Sequence, residues 1–284
     1  MLGSADARPS GPRGGAVLVP STPDALWDDP SLRLLRPSAL AFTGLRRGRL
    51  LRNCSLMVPA GTRLLVAADP AASGSMLLRI LGGLARRSAG RVEIAGLADP
   101  SADGWGRRVA YLRSEPGIHG WMTPRETLQL AGRLLDLDDA TAGRRTEEVL
   151  GRAGIPPASA DRPVRRGGQA LAQRTGYAAA LLADPEVLLL DEPLRSLDAA
   201  ERHRLLDLPG ERRTVVLHSR YPASEAGHVT HVALLRGGRI AMLARADEVE
   251  ALGHGLAMRG IAELADRRAS AAATAPPRAV AAAR

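Results

Sequence analysis

Short apolar segments alternate with amphipathic segments along much of the chain. The clearest apolar runs cover residues 63–67, 187–190, 214–217 and 232–235. Such runs of four or five residues are typical of strands that are covered on both faces, as in a parallel sheet. Because helical patterns separate these runs, the sequence predicts an α/β fold built around a largely parallel sheet.

The middle of the chain has a helical pattern instead. One helix is predicted to begin after Thr123, because Thr123 can cap it, Pro124 suits the first helical position and Glu126 completes a capping box. Further helices are predicted over 75–84, 142–153 and 170–182. The sequence therefore predicts a helical subdomain, about residues 114–183, inserted in the α/β core.

The two ends of the chain differ in composition from its body. Residues 1–33 are rich in Gly, Pro and Ser and are predicted to form a flexible arm. Residues 269–284 are rich in Ala and Pro and are predicted to be disordered. The body, residues 34–268, is predicted to be a single domain.

Composition excludes several classes of function. All 39 basic residues are Arg, so lysine Schiff bases and lysine-held phosphates are excluded. The net charge of +9 is spread along the chain, and only 2% of residues are aromatic. A nucleic-acid-binding function is therefore a low-ranking alternative. Coding bias towards Arg is the simplest interpretation of the charge.

Cysteine usage and hydropathy bear on the compartment. The single cysteine, Cys54, excludes an internal disulfide. No run of 18 apolar residues predicts a membrane span, and the first residues lack the apolar stretch of a secretory signal. The sequence predicts a soluble, cytoplasmic chain that reaches a membrane only through another subunit.

Two acidic residues follow the apolar run 187–190. Asp191 and Glu192 stand before Pro193, at the carboxyl end of the predicted strand. Ligands of open α/β sheets bind at this edge. Asp191 could hold Mg²⁺ and Glu192 could polarise a water for attack on phosphorus. A solvated acidic turn is the alternative interpretation of these two residues alone.

Other motifs stand at characteristic distances from this acidic pair. They are RILGGL at 79–84, SAGRVEIAGL at 88–97, GGQ at 167–169, SLD at 196–198 and RGGRI at 236–240. Over residues 37–248 their order closely resembles the ATP-binding cassette (ABC) family, the motor subunits of ABC transporters. The sequence is most similar in style to the drug-export branch. The resemblance implies a P-loop NTPase-like nucleotide-binding domain that uses ATP and Mg²⁺.

The phosphate loop implied by the resemblance is altered. Its two glycine positions hold Ala68 and Ser73, and its lysine position holds Gly74. The Mg²⁺-binding hydroxyl is retained as Ser75, followed by Met76. Asp69, inside this loop, would repel a polyphosphate by roughly 1–4 kcal/mol at ~4 Å.

Other nucleotide contacts implied by the family are also changed. The Gln that follows the third core strand falls at Ser114, and the switch His falls at Arg220, two residues after His218. Arg166 replaces the signature serine. The retained signature and interface residues are Gly167, Gly168, Gln169 and, at the implied dimer interface, Asp198. The implied metal ligands are Ser75 and Asp191, and the implied catalytic residues are Glu192 and Arg220.

These departures leave two interpretations. In the first, binding and hydrolysis of ATP are weakened or lost. In the second, Arg113, Arg166 and Arg220 supply the charge that the absent lysine would bring. We expect the first, in a cassette subunit of an export-type transporter at the inner face of the cell membrane. The membrane-spanning partner is expected to dock near residues 114–127. A non-catalytic structural or regulatory cassette, paired with a competent one, is the alternative.

The resemblance also implies a dimer, because in the family each ATP lies between two subunits. A homodimer of this chain would contain two altered sites, whereas a heterodimer could include a competent cassette. Two further patterns in the sequence carry little functional weight. His228 and His231 have no further metal ligand in view, and Trp27, Trp105 and Trp121 are interpreted as packing residues.

Overall fold

The structure is a computed structural model that describes residues 38–207 and 212–274. Its strands form two sheets. In chain order they are β1 (Ser38–Arg47), β2 (Leu51–Pro59), β3 (Arg63–Asp69), β4 (Ala89–Ile94), β5 (Val109–Arg113), β6 (Val187–Asp191), β7 (Thr214–His218), β8 (His231–Arg236) and β9 (Arg239–Arg245). The larger sheet has the order β5-β6-β7-β3-β8-β9, and the smaller, antiparallel sheet has the order β2-β1-β4. In the larger sheet only β9 runs antiparallel to its neighbour.

Helices cover and extend this framework. They are α1 (Ala71–Leu81), α2 (Trp105–Arg108), α3 (Pro124–Leu134), α4 (Asp139–Arg152), α5 (Pro157–Ala160), α6 (Gly168–Leu181), α7 (Ala199–Asp207), α8 (Ala246–Val249) and α9 (Met258–Thr274). Short 3₁₀ turns lie at Val164–Gly167 and Pro222–Glu225, and a π-helical turn at Glu250–His254. Helices α3 to α6 lie between β5 and β6, within the range predicted for the helical subdomain.

The core lies on both faces of the larger sheet. Every residue of β6 and β7 is buried. Alternate positions of β6 join different apolar clusters: Leu188 and Leu190 join one, and Val187 and Leu189 join the other. This double coverage explains why these strands are apolar at every position rather than at every second one. The four predicted apolar runs are confirmed as β3, β6, β7 and β8.

The capping box at the start of α3 is confirmed. The Glu126 amide donates to Thr123 Oγ1 over 3.1 Å, and the Thr123 amide donates to Glu126 Oε2 over 2.9 Å. These two bonds satisfy amides that a helix start leaves without partners. The next helix, α4, begins three residues before its predicted start, because the Asp138 carboxylate caps it at Thr141.

The predicted helix over 75–84 is wrong at both ends. Helix α1 covers Ala71–Leu81, so only Pro70 separates it from β3. The small residues that suggested a loop include Ala71 and Ala72, and alanine has the highest intrinsic preference for helix. The segment that should form a phosphate-binding loop is therefore largely helical.

The predicted disorder from residue 269 is wrong for its first part, because α9 continues to Thr274. Ile261 and Ala265 bury the helix against the core, and Arg268 donates to the Leu243 carbonyl over 2.6 Å. An alanine-rich continuation of an anchored helix is favoured by propensity. The predicted arm over 1–33 and the rest of the predicted tail lie outside the described residues.

The tryptophans differ from one another in burial. Trp105 is buried, as predicted, whereas Trp121 is 65% exposed, so its interpretation as a packing residue is wrong. Trp27 lies outside the described residues. Across residues 38–207 and 212–274, no helix combines the length and apolar character needed to cross a bilayer.

Candidate nucleotide site

The predicted phosphate-loop, metal-binding and catalytic residues lie at one edge of the larger sheet. Strands β6, β7 and β3 are neighbours, and their carboxyl ends lie together because the strands are parallel. β3 leads into α1, β6 ends at Asp191 and β7 ends at His218. Asp191 and Val66 are the register partners of His218 on its two sides. This is the edge at which open α/β sheets bind ligands.

Ser75 and Asp191, the predicted metal ligands, are in contact. The Ser75 hydroxyl donates to Asp191 Oδ1 over 2.9 Å, and the Tyr111 hydroxyl donates to Asp191 Oδ2 over 2.9 Å. Burial, and then the nearby Asp191 carboxylate, raise the pKa of Tyr111 well above its usual range, so it stays a neutral donor. A hydroxyl and a carboxylate on adjacent elements are hard oxygen ligands, and they fit Mg²⁺.

The lysine position of the predicted phosphate loop is filled by another side chain. His218 is 1% exposed, and its ring lies directly against Gly74. A Cβ atom at Gly74 would lie 2.8 Å from the ring Cγ and closer still to Cε1 and Nδ1. No residue other than glycine fits at position 74 unless the His218 ring moves. The space in which a lysine would begin is therefore occupied by imidazole.

His218 is held in this place by one hydrogen bond. Its Nδ1 lies 2.9 Å from the Val66 carbonyl oxygen, and since a carbonyl only accepts, Nδ1 carries the hydrogen. Its Nε2 is buried and has no hydrogen-bond partner among the described residues. The family resemblance implied the switch position at Arg220, whereas the structure places His218 beside the predicted phosphate loop.

The rest of the predicted phosphate loop offers few groups that could bind a phosphate. The Ser73 amide donates to the Pro70 carbonyl over 2.9 Å, so one amide of the helix start already has a partner. The Ser73 hydroxyl is buried without a partner in the part of the chain described. Ala68 is a buried β3 residue, and Met76 packs against the apolar cluster beneath the sheet. Asp69 is exposed at the end of β3.

Glu192 is held by two arginines. Its Oε1 accepts from the Arg220 amide over 2.5 Å and lies 3.5 Å from Arg220 Nε. Its Oε2 accepts from Arg195 Nη1 over 2.9 Å. The backbone φ of Glu192 is 53°, which is uncommon for a residue with a side chain. Each carboxylate oxygen has two lone pairs, so an attacking water would have to share these oxygens with the two arginines.

Ser114 begins the segment that leads from β5 into the helical subdomain. Its carbonyl accepts from Gln173 Nε2 over 2.9 Å, and Gln173 Oε1 accepts from the Ser196 amide over 2.9 Å. Gln173 therefore links the segment after β5 to the segment after β6. The side-chain amide of Gln173 is therefore buried near the sheet edge, beside Ser114, the position at which the resemblance implied a glutamine.

The signature segment contacts the segment that follows β5. The Arg165 amide donates to the Gly120 carbonyl and the Val164 amide donates to the Met122 carbonyl, each over 2.9 Å. α6 starts directly after Gly167, at Gly168. Arg166 and Gln169 flank that start. Asp198, predicted at a dimer interface, is exposed and caps α7 through its bond to the Glu201 amide.

Sequence reasoning missed Tyr111, Gln173 and Arg195, and considered His218 only as a displaced switch residue. Tyr111 and Gln173 carry no motif that would mark them. Arg195 stands three residues after Glu192, a spacing at which side chains can pair. A bulky His218 at a strand end and a Gly74 at the lysine position were both visible, but their contact depends on the strand register.

Comparisons with known proteins agree with the resemblance. The profile of the family described as "ABC transporter" matches residues 51–195, slightly more than half of the chain. An uncharacterised ABC transporter ATP-binding protein of Nostoc sp. is 30% identical over 70% of this chain and 61% of its own length. The chain thus spans less than two thirds of that relative.

Two further relatives have names that describe transport or resistance. The aliphatic sulfonates import ATP-binding protein SsuB 1 of Rhizobium johnstonii is 32% identical over 75% of this chain and 79% of its own length. The daunorubicin resistance ATP-binding protein DrrA3 of Streptomyces coeruleorubidus is 30% identical over 72% of this chain and 66% of its own length.

Solved structures share the fold. A dimeric ATP-binding cassette in a post-hydrolysis state, bound to ADP and Pi, has a TM-score of 0.64 and 18% identity over 72% of this chain and 98% of that one. An ATP-binding subunit of an ABC transporter has a TM-score of 0.67 and 21% identity over 82% of this chain and 100% of that one. These likenesses extend to the architecture of the sheets and helices.

Proposed function

This chain belongs to the ABC transporter family, as an ATP-binding subunit, and we propose that its ATP binding and hydrolysis are weakened or lost. In this proposal it serves an export-type transporter and pairs with a competent cassette. The contact between His218 and Gly74 carries the proposal, because the His218 ring fills the space that a lysine side chain at position 74 would need.

The altered loop lacks the charge that a polyphosphate requires. In a phosphate loop the lysine contacts the β- and γ-phosphates. Here that position has no side chain, and Asp69 adds a negative charge at the loop. Because charge-assisted hydrogen bonds are worth about 1.5–3 kcal/mol each, loss of the lysine contact weakens ATP binding by about 10- to 150-fold.

The metal-binding part of the site is retained. Ser75 and Asp191 would hold Mg²⁺, which would neutralise charge on the phosphates. In this chain Ser75 donates to Asp191, and Tyr111 occupies the other carboxylate oxygen. These bonds keep the carboxylate oriented and buried. The retained metal ligands support weak binding of MgATP rather than none at all.

The proposed loss of hydrolysis rests on Glu192. Both of its carboxylate oxygens already accept hydrogen bonds, from Arg220 and from Arg195. The buried position of Glu192 leaves little room for a water to compete. In this proposal the carboxylate is retained, but its interactions with two arginines compete with the water that it would have to orient.

Pairing with a second cassette is supported by the signature segment. In the family this segment contacts the γ-phosphate bound on the opposite subunit. Arg166 and the start of α6 would bring a guanidinium and backbone amides to that phosphate. A partner with an intact phosphate loop would then hold ATP against this chain's signature. The export direction is supported by sequence style and by the daunorubicin resistance relative.

Hydrolysis is the direct test of this proposal. At millimolar MgATP, the purified chain is expected to release phosphate no faster than its Glu192→Gln variant. Equal rates mean that any residual release does not pass through Glu192. A wild-type rate clearly above that of Glu192→Gln would contradict the proposed loss of hydrolysis.

The segment 114–127 is proposed to dock on a membrane-spanning partner. Trp121 in this segment is 65% exposed and stacks on His119, with ring centroids 5.7 Å apart. Exposed aromatic residues of this kind often anchor protein interfaces. Met122 and Pro124, which follow Trp121, are buried and hold the segment against the subdomain.

The expected result for Trp121→Ala is a loss of membrane association without a loss of stability. After expression in the source cells, the variant should leave the membrane pellet for the supernatant at low salt, with an unchanged Tm. Tyr221→Ala is the matched control, because Tyr221 is also an exposed aromatic residue but lies elsewhere. Unchanged sedimentation of Trp121→Ala would remove this segment from the docking surface.

A further inference from the structure

A cluster of three side chains lies away from the nucleotide site. His203 and Asp207 are on one face of α7, four residues apart, and His228 precedes β8. Their side-chain ligand atoms all lie within 4.8 Å of one another. His203 is 64% exposed and His228 is 6% exposed, so the cluster opens to solvent on one side only.

The hydrogens of this cluster can be assigned in part. His228 Nδ1 lies 3.1 Å from Asp207 Oδ1, and because a carboxylate accepts, Nδ1 carries the hydrogen. The other nitrogen of that ring, Nε2, lies 2.9 Å from His203 Nδ1. In a neutral His228 ring, Nε2 then presents a lone pair towards His203.

The arrangement matches a common form of metal site. In proteins, a metal-binding histidine usually donates its second ring hydrogen to a carboxylate. Here Asp207 is the carboxylate that accepts the second ring hydrogen of His228. If His203 carries its hydrogen on Nε2, which lies 3.4 Å from Asp207 Oδ2, its Nδ1 also presents a lone pair. Without an ion, His203 Nδ1 carries the hydrogen that lies between these two nitrogens; an ion would take the place of that hydrogen, which moves to Nε2 of His203.

Distances fit a divalent transition ion. Ligands bound at about 2.0–2.1 Å in a tetrahedral site lie about 3.3 Å apart. The two facing nitrogens are 2.9 Å apart, so a shift of a few tenths of an ångström would admit the ion. His203 is exposed and its side chain can make that shift.

The backbone around the cluster is held in place. Arg63 on β3 donates from Nε to the His228 carbonyl and from Nη2 to the Leu206 carbonyl, each over 2.5 Å. One side chain therefore ties together the two segments that carry the ligands.

We propose that His203, His228 and Asp207 form a binding site for Zn²⁺ or a similar divalent transition ion. Imidazole and carboxylate ligands favour such ions over Mg²⁺. The two histidines bind the ion, Asp207 orients His228 or joins as a third ligand, and water completes the coordination. The ion links α7 to the segment before β8. The site does not depend on whether the chain binds ATP.

The test uses the full chain without a histidine tag, stripped of metal and free of nucleotide. We expect calorimetry to show one Zn²⁺ per chain, Co²⁺ to give visible ligand-field absorption, and Zn²⁺ at about 100 times Kd to raise Tm by roughly 5–10 °C. His203→Ala should abolish these effects; because the side chain is exposed, we expect the variant to fold, and circular dichroism checks this. Asp207→Asn should weaken binding about 10- to 100-fold.

His254→Ala is the matched control. His254 Nε2 lies 3.3 Å from Glu263 Oε2, so it is also a histidine paired with a carboxylate, but no second histidine joins this pair within the described ranges 38–207 and 212–274. Zn²⁺ binding should not change in this variant. The absence of stoichiometric binding, or equal binding after His203→Ala, would overturn the proposal and leave a triad held by protons alone.

Discussion

Replacing Gly74 with alanine is expected to lower the free energy of unfolding by about 2 kcal/mol, and Tm by roughly 4–8 °C. The added Cβ would overlap the His218 ring, which is buried and bonded to the Val66 carbonyl. Displacing the ring costs packing and leaves a buried carbonyl without its donor. These costs exceed the ~1 kcal/mol that alanine gains over glycine in a helix.

The same substitution should reverse its sign when His218 is removed. In a His218→Ser background the overlap disappears, and Gly74→Ala is expected to stabilise the chain by up to ~1 kcal/mol. The double-mutant cycle should therefore give a coupling of about 3 kcal/mol, at the high end for residues in contact. Denaturant unfolding of the four proteins measures it. Additive effects would show that the two residues do not occupy a shared space.

The second large effect concerns nucleotide affinity. The double variant Gly74→Lys/His218→Ser is expected to bind MgATP about 10- to 150-fold more tightly than the wild-type chain, because one charge-assisted contact returns. Replacing His218 with serine empties the space that the ring filled, and the lysine side chain at position 74 enters that space. Gly74→Lys alone should give no such gain, since His218 still fills the position.

A matched control separates charge from shape. Gly74→Gln/His218→Ser introduces a side chain of similar length without a positive charge, and it should bind MgATP no better than His218→Ser alone. Calorimetric titration of all four variants gives the comparison. If the glutamine variant gained as much affinity as the lysine variant, the absence of charge at Gly74 would not be the cause of weak binding.

Local patterns predicted the elements that depend on local chemistry. The capping box at Thr123 and the buried strand ending in Asp191 follow from neighbouring residues, and both are found. The start of α1 at Ala71 was missed, because a run of small residues is compatible with a loop and with a helix. The intrinsic helix propensity of alanine favours the helix, whereas the family resemblance implied a phosphate loop at this position.

The site was predictable where the family resemblance names single residues, and less so where residues act in pairs. Ser75 and Asp191 were expected at one metal site, and they are in contact. The contact of His218 with Gly74 joins residues that are far apart in sequence, through the parallel register of β3 and β7. The contact of Arg195 with Glu192 is compatible with their spacing of three residues, but spacing alone does not establish it.

Titration of the wild-type chain with MgATP tests the central claim most directly. Isothermal calorimetry at physiological salt, with Asp191→Asn as the reference, should show no saturation below millimolar ATP, and at most a weak signal that Asp191→Asn removes. Saturable binding in the micromolar range that depends on Asp191 would contradict the claim. It would mean that a cassette with Gly74 and His218 in place of the lysine still holds ATP.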